Sequence, residues 1–167
     1  MASCEVPLDA TLEAFRLARA HGVTTLLNPA PAMPLPDALW PLVDVLTPNE
    51  GELQALAGEA DTERAAHCLL ERGVGAVVVT LGARGCSLYR VGQPVLTLPG
   101  HAMTVADTIG AGDTFTGNLA AALARGDGWE QALRTANAAA ALSTRAHGAV
   151  SAMPTRQEVL NWLERQA

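Results

Sequence analysis

Aromatic side chains are scarce in this 167-residue sequence, at 4%. Alanine, leucine, valine and glycine dominate instead, the composition expected where helices pack closely on a sheet. Cysteine is scarce too. Cys4, Cys68 and Cys86 are odd in number and widely spaced, with no Cys-x-x-Cys pair. That argues against a zinc or disulfide framework and predicts reduced thiols in a cytosolic protein. Charged residues reach only 17% while apolar residues make up 49%, which argues against disorder and for a compact body. The net charge of −6 disfavours nonspecific binding to nucleic acid or to anionic membranes. No apolar run approaches the roughly 18 residues that span a bilayer, and no signal-peptide pattern precedes the first helical stretch. Repeats, linkers and low-complexity segments are absent from the sequence. His21, His67, His101 and His147 share no metal-like spacing, and none is assigned a catalytic role. What remains is a single domain over residues 1–167, cytoplasmic, with neither nucleic acid nor membrane as a partner.

Helical and strand patterns alternate along the chain. Apolar residues at Leu8, Leu12, Phe15 and Ala18 predict a helix that ends at Gly22. Residues 23–27 read as a short buried strand, stopped by Asn28-Pro29-Ala30-Pro31. A brief helical turn over 39–42 leads into a strand at 43–46, which ends at Thr47-Pro48-Asn49. Helices are expected over 50–57 and 61–72, the second closed by Gly73. Residues 76–81, with three consecutive valines, make the clearest buried strand. After Gly82, short strands are expected at 86–91, 95–98 and 103–105, with turns at Gly92-Gln93-Pro94 and Pro99-Gly100. Helices over 112–124, 130–145 and 156–165 follow. Strands alternating with helices imply an α/β fold with a mainly parallel sheet, right-handed crossovers and a short antiparallel addition. In such a sheet ligands collect beyond the carboxyl ends of the strands, where Asn28, Asn49, Gly82 and the 107–113 loop fall.

The most informative stretch is Asp107-Thr108-Ile109-Gly110-Ala111-Gly112-Asp113, which runs into an apolar helical pattern over 114–123. Glycines at 110 and 112 keep side chains away from the turn, so backbone N–H groups can point at an anion. The helix adds the positive end of its dipole at the same spot. A carboxylate at Asp113 would repel the ligand of a pure phosphate cradle. It makes sense if Asp113 takes a proton from a hydroxyl while the amides hold the phosphoryl group that this hydroxyl attacks. Plainer readings stay open at this point. A Gly-x-Gly before a helix is also an ordinary tight connection, and Asp suits any helix N-terminus.

Four segments, taken in order, resemble the ribokinase-like carbohydrate kinases, also called the phosphofructokinase B family. The first two are Asn28-Pro29-Ala30-Pro31-Ala32 and Thr47-Pro48-Asn49-Glu50-x-Glu52, which are similar to the ribokinase branch in particular. The third is Thr80-Leu81-Gly82-Ala83-Arg84-Gly85. The fourth is the 107–113 stretch continued through Thr114, Phe115 and Gly117. The likeness spans essentially the whole chain.

The resemblance implies that Asp113 is the catalytic base, activating a sugar hydroxyl that attacks the γ-phosphate of ATP. It implies an anion hole from the amides of Gly110, Ala111 and Gly112, with one well-placed donor worth on the order of 3 kcal/mol. Nucleotide contacts are implied for Asn49, Thr80, Gly82, Arg84, Gly85, Gly112 and Asn137, and an indirect Mg2+ role for Asn49 and Glu52. Taken alone, Asn49 and Glu52 also make a helix cap with an acidic first turn, and the 80–85 stretch an ordinary turn. Glu5, like Asp113, matches a sugar contact; a solvated glutamate near a terminus has the same pattern. A monovalent cation, K+, is implied beside the anion hole, held by Asp107, Ile109, Ser143, Ala146 and Gly148. Ala152 stands where the family often has Ser, which removes one ligand, and Asp107 also reads as a plain turn cap.

The family carries a long N-terminal portion with early sheet strands, sugar-binding Gly-Gly and Asp residues and a β lid, none of which this sequence contains. The resemblance therefore implies a C-terminal nucleotide-binding portion, with the sugar side reduced to Glu5 and Asp113. The implied activity of the parent is ATP-dependent phosphorylation of D-ribose to ribose 5-phosphate. The alternatives are a non-catalytic nucleotide-binding remnant, a kinase for another sugar or a nucleoside, and an interaction module. The last would use an exposed sheet edge, which also points to a homodimer.

Overall fold

The computed structural model describes residues 1–166. Two compact units make up the chain, the first holding Met1–Thr80 with Ser87–Leu96, the second Leu81–Cys86 with the chain from Thr97 onward. In sequence order the strands are β1 Ala2–Ser3, β2 Leu26–Asn28, β3 Val45–Leu46, β4 Ala76–Thr80, β5 Cys86–Tyr89 and β6 Leu96–Leu98. The helices are α1 Leu8–Ala20, α2 Glu50–Ala57, α3 Thr62–Glu71, α4 Ala111–Ala124, α5 Trp129–Ser143 and α6 Arg156–Glu164, with 3-10 turns at Asp37–Leu42 and Gly82–Arg84. The strands form a mixed α/β sheet in the order β1-β2-β3-β4-β5-β6, parallel from β1 through β4. No helix among the described residues is long and apolar enough to cross a membrane.

In the first unit the core follows from β4. Val77, Val78 and Val79 are all 0% exposed, so both faces of that strand are covered, which is why its sequence has no polar alternation. Each such side chain contributes roughly 2 kcal/mol by leaving water. Helix α3 turns Ala65, Ala66, Leu69 and Leu70 inward and leaves Glu63, Arg64, His67 and Glu71 exposed, the stripe of a helix lying on a sheet. Its start is set by Asp61, whose side chain accepts from the Arg64 N–H at 2.9 Å.

Strand boundaries depart from the sequence pattern where side chains capture backbone groups. A strand was expected over 23–27, but the ladder opens only at Leu26. The Val23 N–H closes the end of α1 by donating to the Ala18 carbonyl at 2.9 Å. The Thr25 N–H donates to the Asp44 carboxylate at 2.8 Å, and Arg19 pairs with the same carboxylate. The short strand β1 has only two residues, too few for any periodicity to register.

In the second unit α4 packs along α5, and α6 closes over the alanine-rich side of α5. Ala138, Ala139 and Val159 form a buried cluster there, flanked by Leu142, Trp162 and Leu163. Helix α6 begins with a capping box in which Thr155 and Glu158 satisfy each other's backbone N–H groups. The strand expected over 103–105 is not formed. Its continuation is drawn to the end of α5, where the Thr144 carbonyl accepts the N–H groups of Ala106 (2.8 Å) and Asp107 (3.2 Å).

Candidate active site

The residues singled out in the sequence fall into two groups, one in each unit. In the first unit, parallel register aligns the carboxyl ends of the strands: Ser3 lies opposite Asn28, and Asn49 bridges to Thr80. Glu5 is exposed just past β1, where the Ser3 hydroxyl donates to its carboxylate at 3.2 Å. Asn49 caps α2. Its Oδ1 accepts the Glu52 N–H at 2.9 Å, and the Glu52 carboxylate accepts the Asn49 N–H at 2.8 Å. Thr80 donates its N–H to the Pro48 carbonyl at 2.9 Å, tying the end of β4 to the same turn. Burial, with a smaller push from the Glu52 charge, raises the pKa of the Cys4 thiol. Cys86 is pushed up to about 12 by burial, and all three cysteines are free.

In the second unit the 107–113 stretch folds as a turn that opens α4. Gly110 is the N-cap with φ +76, a left-handed conformation that favours glycine, and a Cβ there would meet Ala149 at 3.0 Å. Ala111 donates its N–H to the Thr108 carbonyl at 3.2 Å, and the Thr114 N–H takes the Gly110 carbonyl at 2.8 Å. The first turn of α4, with Gly112 and Asp113, presents N–H groups that have no carbonyl one turn earlier within the helix. Asp113 is exposed in that turn. Gly112 has an ordinary φ, and a Cβ added to it would meet nothing within 4 Å. The fold itself does not require glycine at 112. The space around its Cα is open.

The turn is anchored by Asp107, which accepts the Ile109 N–H at 3.0 Å and the Gly148 N–H at 3.2 Å. Asp107, Ile109 and Gly148 are thus brought together. Ser143 precedes Thr144, whose carbonyl holds the start of the same turn, and its own hydroxyl donates to the Ala140 carbonyl at 2.8 Å. Ala146 is exposed in the connecting loop. Among the described residues no three His, Cys, Asp or Glu side chains are clustered to hold a metal ion. The expected cation set is mostly backbone oxygen, a different chemistry.

Those two N–H bonds, Ile109 the stronger cause and Gly148 next, hold the Asp107 carboxyl below the usual carboxylate range. A carboxyl depressed in the folded state stabilises above its unfolded value and loses that contribution as pH falls toward its folded one. Asp107→Asn should therefore flatten the fall of melting temperature below about pH 4 relative to the parent chain. Parallel acid-melting curves for the two proteins would contradict this.

The loop after β4 is built on close backbone approach. Gly82 and Gly85 have φ +57 and +97, and Arg84 is exposed between them. A Cβ on Gly85 would lie 2.1 Å from the Leu98 carbonyl oxygen, and one on Gly100 would lie 2.0 Å from the Ala83 oxygen. Asn137, on α5 and 7% exposed, donates Nδ2 to the Pro99 carbonyl at 2.8 Å. Pro99 and Gly100 carried only a turn signal in the sequence. Their contact with 83–85 is long-range and leaves no local mark.

The sequence profile of the pfkB family carbohydrate kinases matches residues 1–156. A ribokinase of Haemophilus influenzae is 40% identical over 165 residues, covering 96% of this chain and 54% of that protein. A ribokinase of Mus musculus is 40% identical over 164 residues, covering 93% and 51%. The structure of Arabidopsis thaliana ribokinase complexed with ribose and ATP matches with a TM-score of 0.93 at 34% identity, covering 97% of this chain and 54% of that one. An E. coli structure described as a ribokinase II, in complex with ATP and Mg2+, matches at 0.83 and 27% identity, covering 95% and 54%. The chain spans about half the length of the curated relatives it matches.

Proposed function

This chain belongs to the pfkB family of carbohydrate kinases, and from that premise we propose that it forms the nucleotide-binding and proton-abstracting part of an ATP-dependent ribose kinase. The observation that carries the reading is the exposed carboxylate of Asp113 in the first turn of α4, next to a glycine with open space above its backbone. The N–H groups of that turn favour negative oxygens, and the helix dipole adds to them. Asp113 accepts the proton of the sugar hydroxyl as that oxygen attacks phosphorus. ATP, when bound, supplies the phosphoryl group, and Mg2+ shields its charge. Asn49 and Glu52 already satisfy each other in the α2 cap, so they serve the cation through its water shell. All 11 basic residues of the chain are arginines, which makes Arg84 the cationic side chain of the 80–85 loop, with a fork suited to phosphate. A K+ site at Asp107, Ile109, Ser143, Ala146 and Gly148 belongs to the same proposal. A sugar contact by Glu5, exposed just past β1, belongs to the same proposal.

Ribose-dependent release of ADP tests the reading, and formation of ADP that needs both ribose and ATP is the expected result. Nucleotide binding without transfer selects a second reading, a nucleotide-binding part that needs further sequence for turnover. Absence of nucleotide binding removes both.

Gly112→Ala separates folding from function at this turn. The added methyl meets no atom within 4 Å beyond its chain neighbours and its own helix backbone, and alanine in a helix stabilises by up to about 1 kcal/mol over glycine. The variant should melt no lower than the parent, while its ADP affinity and turnover drop by about ten-fold or more. Unchanged nucleotide affinity in a stable variant would show that the space at 112 is idle.

A further inference from the structure

We propose that His101 and Trp162 are positioning residues for nucleotide binding: through them helix α6 braces the Pro99 and Gly100 backbone against the 82–85 loop. The proposal rests on the reading of that loop as part of a nucleotide site. The loop is a tight turn, with the Leu81 N–H on the Gly85 carbonyl at 2.8 Å and the Gly85 N–H on the Gly82 carbonyl at 3.1 Å. Its outer side is the bare backbone of residues 98–100, so close that neither Gly85 nor Gly100 has space for a Cβ. Packing of that kind holds only while both backbones stay in register. What fixes residues 99–101 therefore fixes the shape of the loop.

Two side-chain contacts do so. Asn137 holds the Pro99 carbonyl from α5. The His101 ring meets Trp162 edge-on, with centroids 4.6 Å apart and planes at 79°, a favourable arrangement for flat rings. Trp162 in turn packs on Ala138, Ala139 and Val159, so both braces are rooted in the α5–α6 pair. Burial, with a smaller contribution from Arg134, lowers the His101 pKa and so favours the neutral imidazole. Neither His101 nor Trp162 belongs to the set of expected ligand contacts.

Calorimetric titration of ADP into the purified chain and its variants is the test. Phenylalanine at 101 keeps a flat ring against Trp162, whereas alanine removes it. His101→Phe should bind ADP within about two-fold of the parent, and His101→Ala should weaken it by about five-fold or more. Trp162→Leu, which removes the other ring, should weaken it similarly and gives an independent reading if His101→Ala does not fold. Parental affinity in His101→Ala or in Trp162→Leu overturns the proposal, as does an equal loss in His101→Phe and His101→Ala. A parent chain that takes up no ADP overturns the nucleotide reading itself, an outcome distinct from bracing that fails in a chain that binds.

Discussion

Asp113→Asn should lower the turnover of sugar phosphorylation by about 10²- to 10⁴-fold, the size of a general-base contribution, while ATP affinity stays within about two-fold. Asparagine keeps the outline of the side chain in the first turn of α4 but cannot take up the hydroxyl proton. Removing a negative charge beside the phosphates does not weaken their binding, because like charges repel. The two readouts therefore move apart, which a general loss of structure would not produce. Ribose-dependent ADP release alongside an ATP titration measures both. Equal losses in the two, or an active asparagine variant, would remove Asp113 from the chemistry.

Gly85→Ala is the corresponding test of the fold. Its Cβ would sit 2.1 Å from the Leu98 oxygen and 2.6 Å from the Gly100 nitrogen, both backbone atoms that no rotamer change can clear. The residue also holds φ +97, where L side chains are strained. The expected loss is about 4 kcal/mol or more, at the extreme of single substitutions. Gly92→Ala is the control. It has φ +67 and nothing within 4 Å of a new Cβ, so it carries only the left-handed cost of about 1–2 kcal/mol. Urea unfolding of the two variants decides the matter, and a Gly85→Ala chain as stable as Gly92→Ala would mean the backbones separate easily.

Features written locally were the legible ones. Helix α2 forms over the bounds its sequence implied, with the Asn49 and Glu52 capping pair as its start signal, and Gly58 with φ +69 closes the other end. The three valines of β4 announce a strand covered on both faces. In the Asp107 to Asp113 turn the glycines and the helix start are likewise visible in the sequence without any distant partner. Illegible features depended on partners far along the chain. Thr25 is held by Asp44, which delays β2, and Thr144 holds Ala106 and Asp107 just past the expected strand over 103–105, which does not form. The role of His101 needs Trp162, which lies beyond two intervening helices in sequence. For the candidate site, the pattern of residues named a chemistry, while anchoring by Gly148 and the open space at Gly112 are facts of three dimensions.

By giving an amide hydrogen to Pro99, Asn137 settles which way round its carboxamide sits. Turned over, it would set its oxygen against another oxygen. An aspartate of the same outline would do this permanently and with charge. The position thus selects polarity with a direction, a handedness of donor and acceptor that shape alone does not encode.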